Sequence, residues 1–148
     1  MKELNEAQYL ENQFNELLKN ERISIDSKRS WLEQIENKPG VYIIEIKKKI
    51  AYVGETGNLK KRMKDLLRTN NHTFRRSLGK LIFNKDENYS KASSTKKFNE
   101  IIEKKLDVWM YENCKVSFLT TKIGRKELEE LIQDEYGSQL LNVRRKRK

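Results

Sequence analysis

Two short apolar runs separated by three lysines constrain the fold of this chain more than any other feature. The first run, residues 41–46, follows a Pro-Gly pair and is rich in β-branched residues, and the second spans residues 50–53. Such residues favour strands, and the lysines at 47–49 form a polar break of hairpin length, although the Asn-Gly or Asp-Gly signal of a tight turn is missing. The segment therefore predicts a β-hairpin.

Each arm of this hairpin carries a tyrosine. Because successive side chains of a strand point to opposite faces, Tyr42 and Ile44 share one face of the first arm, and Ile50 and Tyr52 share one face of the second. A turn near Lys48 would bring the two phenols close together across the sheet. Core packing explains this pairing, and so does a phosphate site beside the basic segment that follows; both interpretations stay open.

The first 37 residues predict two helices that form an N-terminal extension packed on the core. Apolar residues recur at helical spacing between positions 10 and 18. Asp26 or Ser27 is a candidate cap for a second helix, which carries Trp31 and Ile35. That helix must end before Pro39, because proline pushes the residue before it out of the helical region.

After the hairpin, helical and strand patterns alternate. We expect a loop at 54–58, a helix at 59–67, a flexible surface loop at 84–97, a helix over 98–110, a strand at 116–121 and a helix at 125–136. The fold class is therefore α+β, a small three-stranded, mostly antiparallel β-sheet flanked by helices. We place one domain at residues 38–143 and a basic tail at 144–148.

The charge of the chain is strongly positive and unevenly distributed. The 148 residues include 32 Lys and Arg against 22 Asp and Glu, a net charge of +10. Residues 60–80 contain eight basic side chains and one acidic one, and residues 144–148 are all basic, whereas residues 1–37 hold five basic and eight acidic side chains. Concentrated cationic surface favours a polyanionic partner, because each neutralised phosphate releases counterions. A solvated charged surface is the alternative.

The cysteine count and hydropathy exclude several classes of protein. Cys114 is the single cysteine, so it cannot form an internal disulfide and lacks the spacing of a zinc site; we expect a reduced thiol in the core. No apolar stretch approaches the roughly 18 residues that span a bilayer, and the first ten residues lack the apolar segment of a secretory signal. We therefore expect a cytoplasmic protein without a membrane partner.

Two short triplets and an arginine resemble a known family. Gly40-Val41-Tyr42, then Tyr52-Val53-Gly54, then Arg62, with a later glutamate helix and Asn142, resemble the GIY-YIG nuclease superfamily. The order and spacing of these motifs make the combination specific. The resemblance implies a three-stranded antiparallel sheet flanked by helices, and hydrolysis of DNA phosphodiester bonds with Mg²⁺ or Mn²⁺ as cofactor. DNA as partner would associate the protein with the nucleoid.

The resemblance also implies roles for individual residues. Tyr42 would activate the attacking water, Tyr52 would position water or a phosphate oxygen, and Arg62 would hold the scissile phosphate. These residue types suit the reaction, because a guanidinium offers a fork of donors to the phosphate oxygens and nearby cations lower the pKa of a phenol. Asn142 would support the site by hydrogen bonding.

The metal-binding glutamate that the resemblance implies has two candidates on the last helix. Glu129 shares a helix face with Ile132 and follows an apolar residue, as family glutamates often do. Glu130 lies twelve residues before Asn142, a common family spacing, but it points toward Asp134. We place Glu129 ahead of Glu130 as the metal ligand; for either residue, a solvated helix face is the alternative.

Two positions depart from the family pattern. Glu55 follows the second triplet, where some members carry lysine or a small residue. Leu66 stands four residues after Arg62, where many members have a His or Tyr that helps relay a proton. The single histidine, His72, lies near two arginines and is a candidate to replace the relay group or to contact a phosphate. A surface-loop histidine is the alternative.

The leading hypothesis is a Mg²⁺-dependent DNA endonuclease with one active site, and the alternative is a catalytically weak DNA-binding module of the same fold. Whether it forms a homodimer stays open. The expected catalytic residues are Tyr42, Tyr52, Arg62, His72, Glu129 and Asn142. The expected DNA-binding residues are Lys60, Lys61, Lys64, Arg75, Arg76 and Lys80.

Overall fold

The computed structural model describes residues 2–26 and 28–142, which form one sheet with helices on both faces. The elements in chain order are α1 (Lys2–Lys19), β1 (Ile23–Ser24), α2 (Arg29–Glu33), β2 (Gly40–Ile46), β3 (Lys49–Thr56), α3 (Leu59–Asp65), a 3₁₀ turn (Thr69–Asn71), α4 (Thr73–Phe83), α5 (Glu100–Asn113), β4 (Cys114–Thr120), α6 (Arg125–Tyr136) and a second 3₁₀ turn (Gly137–Gln139).

The predicted hairpin is confirmed and lies at one edge of the sheet. The strand order is β1-β4-β2-β3, with every pair antiparallel, so β3 is an edge strand. Ile46 pairs with Lys49, which leaves Lys47 and Lys48 as the turn, and both have positive φ, 49° and 72°. Positive φ at both central residues is the type I′ geometry that matches strand twist. Here two lysines adopt it in place of Asn-Gly.

Alternate residues of the hairpin build two cores on opposite faces of the sheet. Tyr42, Ile44 and Tyr52 belong to a core that α2, α3, α4 and α5 complete. Val41 and Val53 belong to a second core, to which α1 and α6 contribute. The expectation that Ile50 shares a face with Tyr52 is wrong: the pairing shifts between Ile44–Tyr52 and Glu45–Ile50, so a β-bulge interrupts the alternation and Ile50 packs in the second core.

The sheet has four strands rather than the expected three. The additional strand, β1, pairs Ile23 with Val116 and Ser24 with Lys115. A two-residue strand is too short for alternation of side chains to reveal it. β3 also continues to Thr56, so three of the five residues of the expected loop at 54–58 are strand.

Helix α4 was not expected at all. Its buried residues include Phe74 and Leu78, four apart, but Arg75 and Gly79 are buried beside them. A buried arginine and a glycine obscure the apolar stripe by which an amphipathic helix is recognised. The helix begins directly after His72, which therefore occupies a helix terminus and not a surface loop.

The segment at 84–97 contains no helix or strand, as expected, and Tyr89 within it packs against Phe98; its flexibility stays a prediction. Cys114 is buried, as expected, and burial raises the pKa of its thiol to about 12. Asp26 does not cap α2 as a candidate should: the N-cap is Lys28, without a side-chain cap bond, and Asp26 accepts from the backbone N–H of Lys28.

Ser27, the other candidate cap, and the basic tail lie outside the described residues. The domain boundaries at 37 and 143 stay predictions. In the described ranges, no helix is both long and apolar enough to cross a bilayer.

Candidate active site

A cleft of about 610 Å³ opens at the edge strand β3, where the two faces of the sheet meet. Five of the six expected catalytic residues line its wall: Tyr42, Tyr52, Arg62, Glu129 and Asn142. They come from β2, β3, α3, α6 and the segment after α6, so only the folded chain brings them together. The sixth, His72, lies behind the wall in contact with Tyr42.

The two tyrosines are diagonal neighbours across the hairpin. Tyr42 lies opposite Gly54, and Ile44 lies opposite Tyr52. The phenol rings stack with centroids 6.2 Å apart and an angle of 27° between their planes. The expected proximity of the phenols is therefore observed. The two tyrosines are not directly opposite, because Tyr52 lies two residues along β3 from Gly54, the partner of Tyr42.

Gly54 is what allows the Tyr42 ring to lie over the backbone of β3. A Cβ at position 54 would lie 2.4 Å from both Cζ and Oη of Tyr42. We expect Gly54→Ala to displace the phenol, to destabilise the fold by about 1–3 kcal/mol, and to lower about 10- to 100-fold the DNA cleavage that the family resemblance implies.

Gly57→Ala is the matched control, since a Cβ at Gly57 meets nothing within 4 Å. Plasmid nicking and urea unfolding measure the two effects. If Gly54→Ala cuts DNA as fast as Gly57→Ala, the position of the Tyr42 ring does not limit the reaction.

The phenols are held in the neutral form by their surroundings. Burial, with a smaller contribution from Tyr52, raises the pKa of Tyr42 well above its usual value, and Arg62 opposes the rise. Burial also raises the pKa of Tyr52, again opposed by Arg62. The arginine is thus the group of this site that favours the ionised phenols.

His72 is fully buried and links helix α4 to Tyr42. Its Nδ1 accepts a hydrogen bond of 3.1 Å from the backbone N–H of Phe74, which makes it the N-cap of α4. Its Nε2 lies 2.9 Å from the Oη of Tyr42. The ring packs among Tyr42, Tyr52 and Phe74, with centroids 5.4–6.4 Å away.

The surroundings of His72 favour its neutral imidazole. Burial lowers the pKa of His72 well below its usual value, and the cations Arg62 and Arg76 lower it further. An unfolded histidine titrates near ~6.5, so below that pH only the unfolded state binds the proton. Stability is therefore fully present above about pH 6.5 and falls as the pH decreases through it.

We expect the free energy of unfolding to decrease by up to about 1.4 kcal/mol for each pH unit below ~6.5, because His72 takes up a proton when the protein unfolds. Urea unfolding at pH 7.5, 6.0 and 5.0 measures the loss. Because His72 is the only histidine, His72→Gln removes this contribution while the carboxylates titrate as before. Equal pH dependence in the two proteins would contradict a buried neutral imidazole.

Arg62 is held in place by the turn that precedes α4. Its Nη1 donates to the backbone carbonyl of Asn71 at 2.9 Å and to Oδ2 of Asp65 at 3.4 Å. Asn58 caps the helix that carries it, accepting from the N–H of Lys61. Two contacts on one nitrogen restrict the guanidinium before any substrate arrives.

The structure places Glu129 on the cleft wall, where Glu130 is not found. Burial raises the pKa of Glu129, and the negative charge of Glu55 adds to the rise. Glu55 lines the same cleft and pairs with Nη1 of Arg125 at 2.8 Å. This second carboxylate was absent from the expected catalytic set, although its place directly after the second triplet was visible in the sequence.

Asn142 closes the exposed edge of β3. Its side-chain amide accepts from the N–H of Val53 at 3.0 Å and donates to the carbonyl of Val53 at 2.7 Å. The backbone N–H of Leu141 donates to the carbonyl of Ala51 at 2.7 Å. The amide thus satisfies backbone groups that an edge strand otherwise exposes and fixes one wall of the cleft.

Arg75 does not belong to the DNA-facing surface that was expected. Its side chain is 1% exposed and pairs with Glu103 at 2.9 Å and Asp107 at 2.7 Å, both on α5. Its Nε donates to Thr69 Oγ1 at 3.0 Å. A buried arginine with two carboxylate partners cannot reach a DNA backbone, so the residue joins α4 to α5 and to the turn before His72.

The other expected DNA-binding residues lie nearer the surface. Lys61, Lys64 and Lys80 are exposed, and Lys60 and Arg76 are partly exposed. Arg76 lines the cleft and its Nη1 donates to the carbonyls of Thr69 and Asn70. Besides Glu55, three polar cleft-lining residues were missed, two of them because α4 was not expected: Thr73, Ser77 and Gln133.

We compared the chain with known protein families, sequences and structures to test its resemblance to the GIY-YIG nucleases. A search of curated protein sequences returned no match. Two crystal structures of the GIY-YIG N-terminal endonuclease domain of UvrC from Thermotoga maritima, both point mutants bound to a catalytic divalent cation, are similar at 16% identity with a TM-score of 0.44. Each match covers 78% of this chain and 94% of the other. The family model of the GIY-YIG catalytic domain matches residues 13–148, so the chain belongs to the GIY-YIG family.

Proposed function

We propose that this chain is a DNA endonuclease that hydrolyses phosphodiester bonds in the cleft at the edge of β3, with Mg²⁺ or Mn²⁺ as cofactor. The observation that carries the proposal is the convergence of Tyr42, Tyr52, Arg62 and Glu129 on one cleft. Two phenols, one guanidinium and one carboxylate provide groups for the attacking water, the phosphate and a cation.

Arg62 is the group for the scissile phosphate. Negative charge grows on the non-bridging oxygens during hydrolysis, and preorganised donors stabilise it most. The contacts of Arg62 with Asn71 and Asp65 supply that preorganisation. A guanidinium also presents its donors in the planar fork that matches two phosphate oxygens.

Tyr42 is assigned to the attacking water, and Tyr52 to water or a phosphate oxygen. A neutral phenol has one proton to donate and two lone pairs that accept, so it can orient a water molecule without being ionised. Arg62 lowers the pKa of both phenols against the effect of burial. Both tyrosines line the cleft and so face the space that a substrate would fill.

The carboxylates of the cleft suit a hard divalent cation. Mg²⁺ is commonly bound by one or two carboxylates, with waters and substrate phosphates completing its shell. Glu129 and Glu55 both line the cleft, and the part of the chain that is described contains no larger group of metal-binding side chains. Glu129 would hold the cation, which supplies Lewis-acid stabilisation of the leaving oxygen, while Glu55 pairs with Arg125.

Helices α3 and α4 extend a basic surface away from the cleft. Lys60, Lys61 and Lys64 flank Arg62 on α3, and Arg76 and Lys80 lie on α4. Contacts from such side chains to DNA phosphates position the duplex without reading its sequence. We assign these five residues to the DNA backbone, and binding should weaken steeply with salt.

Two observations favour the alternative, a DNA-binding module with little catalytic activity. Leu66, where many relatives have a relay residue, is fully buried in the core. Burial also raises the pKa of Tyr42, which weakens its case as a base unless a bound cation or phosphate-site arginine compensates.

Supercoiled plasmid incubated with the protein and Mg²⁺, Mn²⁺ or EDTA separates these functions. The endonuclease predicts nicked circles with either metal, appearing before linear DNA because the four proposed groups converge on a single cleft, and no product with EDTA. Salt-sensitive binding without nicking under either metal would favour the binding module. Absence of both nicking and salt-sensitive binding would contradict both.

A further inference from the structure

The only histidine of the chain contacts Tyr42 from behind the cleft, and the direction of that hydrogen bond determines what Tyr42 can do. The Nε2 of His72 and the Oη of Tyr42 are 2.9 Å apart, and either atom could be the donor from this distance alone. The second nitrogen of the imidazole removes the ambiguity.

The backbone N–H of Phe74 donates to Nδ1 of His72. A nitrogen that accepts a hydrogen bond carries no proton, so a neutral imidazole held in this way has its proton on Nε2. The opposite ring orientation would leave the buried N–H of Phe74 facing a carbon, at the cost of an unsatisfied buried donor. The N-cap contact therefore selects one tautomer and one ring orientation.

We propose that His72 is a fixed donor to Tyr42, and not a relay that accepts its proton. The Nε2–H of His72 occupies one lone pair of the Tyr42 oxygen. The hydroxyl proton and the second lone pair of Tyr42 are then directed away from His72, toward the cleft that the phenol lines.

This arrangement assigns His72 as a positioning residue for the proposed reaction, on which the inference rests. With its second lone pair the phenol can accept a hydrogen bond from the attacking water, and with its proton it can donate to a phosphate oxygen. A donor at the back of the phenol also stabilises negative charge that develops on its oxygen. The packing of the imidazole among three aromatic rings keeps the donor aimed.

The tautomer can be measured without any nuclease activity. Long-range ¹H–¹⁵N NMR correlations of the protein at pH 7.5 report both ring nitrogens, and with a single histidine the signals need no assignment. We expect the neutral form with the proton on Nε2, and a shift of the Nε2 signal in Tyr42→Phe. A proton on Nδ1, or an imidazolium, would overturn the inference.

Two substitutions separate the nitrogens of His72. Asn places its oxygen near the position of Nδ1 and keeps the helix cap, whereas Gln places an N–H group near Nε2 and keeps the donor to Tyr42. Both lose the ring, so each is the other's control. We expect His72→Asn to melt at the higher temperature of the two but to cut DNA about 10- to 100-fold more slowly than wild type, and His72→Gln to cut within a few-fold of wild type.

Each of the other outcomes contradicts the proposal that His72 donates a hydrogen bond to Tyr42. Wild-type cleavage by His72→Asn would make the residue a helix cap alone, and equal loss in both variants would show that an N–H group near Nε2 does not sustain the reaction. If the wild-type protein does not cut DNA, the proposed function fails, while the NMR measurement still decides the direction of this hydrogen bond.

Discussion

Replacement of Arg62 by alanine is expected to lower the rate of DNA cleavage by about 10³-fold or more, because an arginine that meets transition-state charge on a phosphate contributes that much. The guanidinium lines the cleft beside both tyrosines, so its removal also withdraws the cation that lowers the pKa of their phenols. Single-turnover nicking of plasmid at saturating protein and Mg²⁺ measures the chemical step apart from binding.

Two further variants test whether charge alone accounts for this effect. Arg62→Lys keeps the charge but loses the fork of donors, and we expect it to bind DNA normally and to recover only part of the rate. Arg68→Ala removes an exposed arginine from the same basic segment, outside the cleft lining. It should weaken binding without changing the single-turnover rate.

Arg62 also anchors the turn before His72 through the carbonyl of Asn71, so thermal unfolding of Arg62→Ala should accompany the rates. If Arg62→Ala is folded and nicks DNA at the rate of Arg68→Ala, Arg62 does not have the role in cleavage that we propose.

The hairpin and its tyrosines were predictable because they depend on local sequence. Strand propensity predicts the two arms, and a short polar break limits how far apart Tyr42 and Tyr52 can lie. The register that brings both phenols to one face was not predictable, because it combines a β-bulge, where the pairing shifts between Ile44 and Glu45, with a two-residue turn made of Lys47 and Lys48 in left-handed conformations. Lysine gives no signal for that geometry.

The environment of His72 and Arg75 could not be read from the sequence, since both depend on an unexpected helix. As neighbours in a polar segment, these residues had the composition of a nucleic-acid contact. In the fold, His72 at the N-terminus of α4 contacts Tyr42. Arg75, in the first turn of the same helix, pairs with Glu103 and Asp107 of α5. The carboxylates that bury Arg75 lie about thirty residues away in the chain, and no local pattern links them to it.

The choice between the two adjacent glutamates of α6 depended on helix periodicity; Glu129 lines the cleft, and metal binding by either residue stays a prediction. Glu129 lies three residues before the buried Ile132, so it shares the side of the helix that packs on the sheet. The sequence spacing that favoured Glu130 counts residues to Asn142 through the 3₁₀ turn at Gly137–Gln139. That turn has a different rise per residue from the α-helix, so counting through it does not identify a helix face.

Glu129→Gln is expected to lower the rate of cleavage by about 10³-fold, because the loss of a carboxylate ligand removes several kcal/mol of stabilisation that a cation gives to the leaving oxygen. Unlike a folding defect, this loss should come with unchanged or higher thermal stability. Burial and Glu55 raise the pKa of Glu129, which means that its charge is unfavourable in the folded state, and glutamine removes the charge at nearly constant shape.

Glu130→Gln is the matched control, since it makes the same chemical change one residue along the same helix, off the cleft wall. We expect it to cut DNA at the wild-type rate. Titration of each variant with Mn²⁺ in the absence of DNA, followed by electron paramagnetic resonance, should show weaker binding only for Glu129→Gln. Wild-type cleavage by Glu129→Gln, or an equal loss of cleavage in Glu130→Gln, would contradict the assignment of Glu129 as the metal ligand.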